Sequence, residues 1–313
     1  MSQISRTGAG IPLSAAPRRS RQRLKETLYG YLFIGPMFLG VFVFTVLPIL
    51  AVIALSITDW SFIAGLDKIK WNGLDNFERL FRDPIFLKSL QNNFYLLVTI
   101  PVTMILSLLL AIVLNKHVFL KDLFKVVFFM PYISSIVAVA IVYQVLFHPS
   151  YGPVNQALIS LGVGNPPKWL ADTHYALISV MMIQVWVSIG FYLIIYLAGL
   201  QNIPKDLYES ADIDGANAWH KFRSITVPLL SPTSFFLLVT GVIYSFRIFD
   251  LIAVLTAGGP AGSTSVIVYY LYDSAFNNLK TGYASSMAVV LLILTLAITG
   301  LQWLAQKKWV NYQ

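Results

Sequence analysis

The chain has 313 residues, 57% of them hydrophobic and only 12% charged, with a mean hydropathy of +0.70 and a formal charge of +8. Soluble domains carry about a quarter charged residues, so this composition excludes an ordinary soluble fold and points to an integral membrane protein, which its long, uniformly apolar runs make all-α. Cysteine is absent, which excludes a disulfide framework and a thiolate metal site.

Residues 1–28 form a basic tail in which Arg18, Arg19, Arg21, Arg23 and Lys25 crowd together. Beside an apolar stretch, such a cluster reads as an anchor at anionic lipid rather than as a nucleic-acid arm. The first apolar stretch, 29–57, exceeds the 7–15 residues or so of a cleavable signal core and is expected to be retained. Five more stretches follow at about 93–114, 126–147, 175–199, 230–256 and 283–305. Each matches the roughly 20 apolar residues that cross a hydrocarbon core. Together they define a transmembrane region over 29–307, with a short tail at 308–313. Alternating ten-residue strand patterns are lacking, so the spans are expected to be helices. Pro36, Pro48, Pro101 and Pro131 fall within spans and read as fixed kinks.

The basic residues set the expected orientation. If the N-terminus is inside, fourteen of the 22 Lys and Arg lie on the cytoplasmic side and seven outside, with Arg247 alone inside a span. This bias places both termini and the 200–229 connector in the cytoplasm. On the outer side, Asp83-Pro84 reads as a helix N-cap followed by proline at the first helical position. Phe77, Leu80 and Phe81 suggest a short surface helix before it, and Gly258-Gly259-Pro260-Ala261-Gly262 suggests a turn closing the fifth span.

The 200–229 connector is more polar than a simple link. Pro204 opens a short helix to about Asp212, with acids at 206, 209 and 212. Gly215 permits a sharp turn, a second short helix runs from about Ala218 to Ser224, and Pro228 opens the next span. This is a helix–turn–helix bracket between two spans, suited to converting a rigid push into movement of both. Within the spans, polar and aromatic residues are candidates for a substrate pathway, since transport sites lie near the bilayer midplane. Thr240, Tyr244 and Arg247 share one face of the fifth span. Arg247 is costly there unless it pairs or faces a cavity, and Asp250 lies three residues on. Gln184, Ser188 and Tyr192 line the fourth span, and Tyr143 and Gln144 lie late in the third.

Catalytic and metal constellations are missing. His117, His148, His174 and His220 lack metal-ligand spacing, no nucleophile–base pair stands out, and no phosphate-cradling G-x-x-x-x-G-K-[ST] loop occurs. Neither enzymatic activity nor a cofactor is expected in this chain.

One motif gathers these features. Glu209-Ser210-Ala211, three residues, Gly215, nine residues and Ile225-x-Val227-Pro228 resembles the EAA signature of binding-protein-dependent ABC importer permeases. Ser210 replaces the usual alanine and Val227 the usual leucine, both small changes. The resemblance runs from about residue 27 to 310. It includes Ser56-Ile57-Thr58-Asp59-Trp60, Gly73-Leu74-Asp75-Asn76-Phe77, and Phe249-Asp250 leading to Thr256-Ala257-Gly258-Gly259-Pro260. In this the chain is similar to sugar-uptake permeases of the MalF and UgpA type.

The resemblance implies six transmembrane helices of the type I importer permease (MetI-like) fold, in a bacterial or archaeal inner membrane. It implies alternating access, with Glu209, Ser210, Ala211, Asp212, Gly215, Ile225 and Pro228 coupling to a separate ATPase that holds ATP and Mg. The implied partners are two such ATPase subunits, a second homologous permease forming a heterodimer, an extracytoplasmic solute-binding protein, membrane lipid and a carbohydrate, with no nucleic acid. The rival reading is a subunit of an ion-gradient-driven transporter or channel. It would need intramembrane carboxylates, of which Asp250 is the only one.

Overall fold

The computed structural model describes residues 18–115 and 119–310. Residues 1–17 of the basic tail, the side chains of residues 18–24, His117 and residues 311–313 lie outside the described residues. Residues up to 51 form a unit of their own. There α1 (Arg18–Val41) passes through a wide turn at Phe42–Val46 into α2 (Leu47–Leu55), of which residues 52–55 belong to the second unit. The wide turn has a local cause. Pro48 has no N–H, and its ring crowds the carbonyl of Phe44 four residues back. A looser turn, closed by the Leu47 N–H on the Phe42 carbonyl, accommodates that crowding.

The second unit, residues 52–313, begins on the expected outer-face elements. Helix α3 (Asp75–Arg82) buries Asn76 and Leu80 and exposes its acids and arginines. Helices α4 (Pro84–Leu96) and α5 (Thr99–Asn115) follow as one apolar stretch, interrupted at 97–98 just before Pro101. Asp83 caps α4 as its sequence suggests: Oδ1 accepts from the N–H of Ile85 at 2.8 Å and of Phe86 at 3.3 Å.

The third stretch is not one rod. Helices α6 (Lys121–Ile133) and α7 (Ile136–Leu146) meet at 97° across Ser134-Ser135, so the straight 126–147 span is corrected to a broken one. Helix α8 (Pro153–Ser160) lies in the following loop. Helix α9 (Ala176–Gln201) is unbroken and buries more residues than any other helix.

The bracket is α10 (Lys205–Ile213), then α11 (Ala218–Lys221), a wide turn at Phe222–Thr226 and α12 (Val227–Leu229). Pro228 sits two residues past its wide turn, as Pro48 does. It therefore does not open the next span. That role belongs to Pro232, in the first turn of α13 (Ser231–Phe246), which bends 61° from the bracket.

The fifth stretch also breaks, at 247–249, before the short α14 (Asp250–Leu255). Helix α15 (Ile267–Tyr272), a third wide turn and α16 (Thr281–Gln306) complete the chain. Among the described residues four helices are long and apolar enough to cross a membrane, and the two bent pairs raise this to as many as six. No strand occurs among them; the only extended pairing is an isolated bridge between Thr58 and Trp71.

In lipid no hydrophobic force pulls helices together, so association depends on close packing at small residues. Gly190 in α9 shows this: a Cβ there would stand 2.2 Å from the Phe128 carbonyl oxygen and 2.6 Å from the Phe129 Cα of α6. Ser107 of α5 donates to the Ile189 carbonyl at 3.1 Å in the same layer.

On the face expected to be outside, the two short motifs quoted above meet. Asn76 donates to the carbonyls of Ser56 and Thr58, each at 2.9 Å. The Gly282 N–H donates to the Trp60 carbonyl at 2.9 Å. The expected Gly-Pro turn lies beyond α14 and is clasped by α4, where Asn92 donates to the Ser265 carbonyl at 2.8 Å.

Asp83 adds a second tie. Its Oδ2 accepts from the Tyr270 hydroxyl and from the Tyr283 hydroxyl, the latter at 2.6 Å, and Arg79 lies over the Tyr283 ring. Burial pushes this carboxyl up. The bonds from Tyr270, Tyr283, Ile85 and Phe86 outweigh that and hold it below its ordinary value. Burial and the adjoining carboxylate push Tyr270 up to about 12. A carboxylate whose folded pKa lies below the unfolded one stabilises above the unfolded value, and loses that contribution as pH falls through the folded value. Asp83→Asn is therefore expected to lower the unfolding midpoint in detergent at neutral pH. The deficit should shrink below about pH 4; a deficit independent of pH would contradict this account.

Candidate functional site

Five of the nine pathway candidates converge. Gln184, Ser188 and Tyr192 of α9 face Thr240 and Tyr244 of α13 across a cavity of about 270 Å³. Sequence reasoning missed the rest of the lining that matters chemically: Thr99 and Thr103 of α5, Tyr132 of α6, Phe191 of α9 and Ser245 of α13. The threonines flank Pro101, the one signal that placed polar atoms beside a local opening of a span.

Tyr132 and Phe191 stack at 5.0 Å and 19° and form an aromatic wall. Gly241 keeps the opposite side open, because a Cβ there would meet the Tyr192 hydroxyl at 2.2 Å. That hydroxyl is held by donating to the Leu237 carbonyl at 3.2 Å.

The lining contains no Lys, Arg, Asp, Glu or His. Its polar groups are hydroxyls and one amide. Gln184 is 6% exposed and donates from Nε2 to Ser188 Oγ at 3.0 Å, while its buried Oε1 has no partner. Ser245 Oγ is likewise buried without a partner. A buried polar atom without a hydrogen bond costs about 1–3 kcal/mol, so both atoms favour a ligand that carries hydroxyls. Stacked rings beside them suit the apolar face of such a ligand.

The remaining four candidates lie elsewhere. Gln144 donates from Nε2 to the carbonyls of Val254 and Leu255, closing the C-terminal end of α14. Tyr143 packs on Phe147 at 5.4 Å within an apolar cluster. Arg247 and Asp250 are both exposed at the break after α13, and no ion pair joins them. The expected intrahelical pair is thus corrected: α13 ends at Phe246 and α14 begins at Asp250, so no continuous helix gives the two residues the one-turn spacing that would bring them together.

The bracket presents the motif residues on its outer surface. Helix α10 ends in a Schellman turn, in which the Ala216 N–H reaches the Ala211 carbonyl at 2.9 Å and the Gly215 N–H reaches that of Asp212 at 3.1 Å. Gly215 takes φ +76°, in the left-handed region. Asn217 then caps α11 by accepting from the His220 N–H at 2.8 Å. Lys221 pairs with Asp212 across the angle, and Tyr208 bonds Thr226 at 2.9 Å.

The bracket is therefore braced as one body. Glu209, Ser210 and Asp212 are exposed, and Ala211 is half-buried beside a shallow recess it shares with Gly215 and Ile225. Ile225 also packs on the apolar cluster of α5, α9 and α13, and Pro228 is half-buried. A braced bracket, carrying four acids and three basic residues and joined to both α9 and α13, can pass a push to the two helices that wall the cavity.

Residues 103–310 match the family described as binding-protein-dependent transport system inner membrane component. The chain belongs to that family. Among its relatives is the lactose transport system permease protein LacF of Rhizobium radiobacter. The two are 33% identical over 297 residues, covering 92% of this chain and 98% of LacF. The trehalose/maltose transport system permease protein MalF of Thermococcus litoralis is 32% identical over 282 residues, covering 90% of this chain and 94% of MalF. A chain of a bacterial ABC transporter that imports the acidic polysaccharide alginate has the same fold. It superposes with a TM-score of 0.81 at 24% identity, over 94% of this permease and 100% of that chain.

Proposed function

We propose that this permease forms one half of the translocation pathway of an ATP-driven importer of a sugar or oligosaccharide. The cavity carries the reading: an uncharged, partly aromatic chamber with the unpartnered amide oxygen of Gln184 in its wall is chemically matched to a hydroxyl-rich ligand. The bracket, with Glu209 and Gly215 exposed, supplies the coupling. ATP and Mg belong to two separate cytoplasmic ATPase subunits. An extracytoplasmic binding protein delivers the ligand, a second and different permease completes the pathway, and both termini lie in the cytoplasm of a bacterial or archaeal cell. Closure of the ATPase pair moves the brackets, the brackets rock α9 and α13, and access to the cavity alternates between the two sides.

Ligand-stimulated ATPase activity of the reconstituted complex, screened over a carbohydrate panel, tests this. One sugar is expected to stimulate, and Gln184→Leu to raise its half-maximal concentration about tenfold or more. Stimulation by no carbohydrate, or an unchanged response in Gln184→Leu, would remove the cavity from the pathway.

A further inference from the structure

Ser89, Asn92 and Asn93 share one face of α4, by their spacing of three and four residues, and all three are fully buried. Ser89 and Ser265 bond hydroxyl to hydroxyl at 2.8 Å, and Asn92 donates to the carbonyls of Gly262 and Ser265. Those contacts hold the segment before α15 to α4. Asn93 bonds in two directions instead. Its Nδ2 donates to the Ser245 carbonyl at 3.3 Å, and its Oδ1 accepts from the Ile267 N–H at 2.9 Å.

Both partners are helix ends. Ser245 is one residue from the end of α13, and Ile267 is the first residue of α15. A helix leaves its last four carbonyls and its first four N–H groups without intrahelical partners. One buried amide thus closes the end of α13 and the start of α15 together.

The end of α13 is also an end of the cavity wall. Ser245 and Ile248 both line the cavity, and so does Leu96, three residues beyond Asn93. Ser245 Oγ is buried there without a partner. Helix ends fray, and a hydroxyl on a fraying turn is a poor fixed partner for a ligand. Phe94 packs edge-on against Phe246 at 6.0 Å, which steadies that turn by shape, and Asn93 adds a directed bond.

Resting on the cavity reading proposed above, we infer that Asn93 is a positioning residue for ligand binding. It acts through Ser245: it pins the last turn of α13, so that the Ser245 hydroxyl stands in the wall as a fixed partner for one hydroxyl of the sugar.

The test is ligand-stimulated ATPase activity of the reconstituted complex. The probe is whichever neutral saccharide of the panel stimulates the parent at the lowest concentration. Ser245→Ala and Asn93→Ala are each expected to raise its half-maximal concentration about three- to tenfold, the worth of one hydrogen bond. The double variant should shift no further than either alone, since both changes remove one contact. Asn92→Ala removes bonds to the same segment but none to Ser245. It should lower the unfolding midpoint and leave the half-maximal concentration at the parental value.

A parental response in Ser245→Ala or in Asn93→Ala would overturn the positioning role, as would effects that multiply in the double variant. A shift in Asn92→Ala as large as that in Asn93→Ala would overturn it too, by showing that any loosening of the segment suffices. If Asn93→Ala does not fold, Asn93→Ser, whose hydroxyl still serves one of the two backbone groups, is held to the same outcomes. Gln184→Leu, measured alongside, separates the two readings. A shift there without one in Asn93→Ala leaves the cavity standing and rejects the positioning role. No stimulation by any sugar, or no shift in Gln184→Leu, rejects the cavity and this inference with it.

Discussion

Gly190→Ala is expected to destabilise the permease strongly, with loss of folded protein from detergent extracts and a sharply lower unfolding midpoint. The added Cβ would meet the Phe128 carbonyl oxygen at 2.2 Å and the Phe129 Cα at 2.6 Å. Both are backbone atoms of α6, which cannot rotate away as a side chain would. Overpacking a core costs about 1–3 kcal/mol where side chains can adjust, and here the adjustment is a shift of one helix against another. That shift would also disturb Tyr132 and Phe191, whose stacking across α6 and α9 forms the aromatic wall. Gly300→Ala is the matched comparison, since nothing lies within 4 Å of a Cβ there. It should be neutral or stabilise slightly, because alanine is the better helix former by about 1 kcal/mol. Equal midpoints for the two variants would refute the close-packing argument.

The contrast between these two glycines shows what the sequence conveys. Composition and run length reveal which stretches are apolar enough to cross, and α9 and α16 follow their expected spans within a few residues. Asp83-Pro84 announces a helix start through side-chain chemistry that acts locally. The breaks at Ser134-Ser135 and at 247–249 were hidden, because uniformly apolar runs have no period against which an interruption stands out. Arg247 carried a signal of a different kind. A charge within an apolar run suggested a ligand or an ion pair; no ion pair forms, and the residue stands where α13 stops. Gln184, Ser188, Tyr192, Thr240 and Tyr244 were found because polar side chains in apolar helices need partners. Tyr132 and Phe191 were not, since an aromatic in a span looks the same whether it packs or lines a cavity.

Glu209→Lys is expected to abolish ligand-stimulated ATP hydrolysis and transport while leaving the permease inserted and folded. Glu209 is exposed on α10 and has no ion-pair partner among the described residues, so the reversal of charge removes nothing that holds the chain together. Its effect falls on whatever approaches the bracket. Charge reversal at an interface costs several kcal/mol through like-charge contact, enough to lower ATPase recovery by a hundredfold or more.

Gly215 separates shape from charge. The site has open space around it but φ +76°, a conformation that disfavours a β-branched residue by about 1–2 kcal/mol and that asparagine tolerates. Gly215→Val should therefore uncouple and Gly215→Asn should largely preserve coupling, as read by ligand-stimulated ATPase. Loss of function in both variants would place the requirement on space rather than on backbone conformation.

The 61° bend at Leu230 gives the bracket a mechanical character. Leu230 is 1% exposed, held inside the apolar cluster of α5 and α9, and it separates two nearly equal arms. On one side, residues 218–229 run about 18 Å at the helical rise. On the other, the distance to Thr240 in the cavity wall is about 15 Å by the same measure. Two arms of similar length pivoting on a clamped residue transmit displacement at a ratio close to one. An ATPase movement of a few ångströms at the bracket would then reach the cavity wall neither amplified nor lost, and the resistance of the wall would be felt at the ATPase at the same scale.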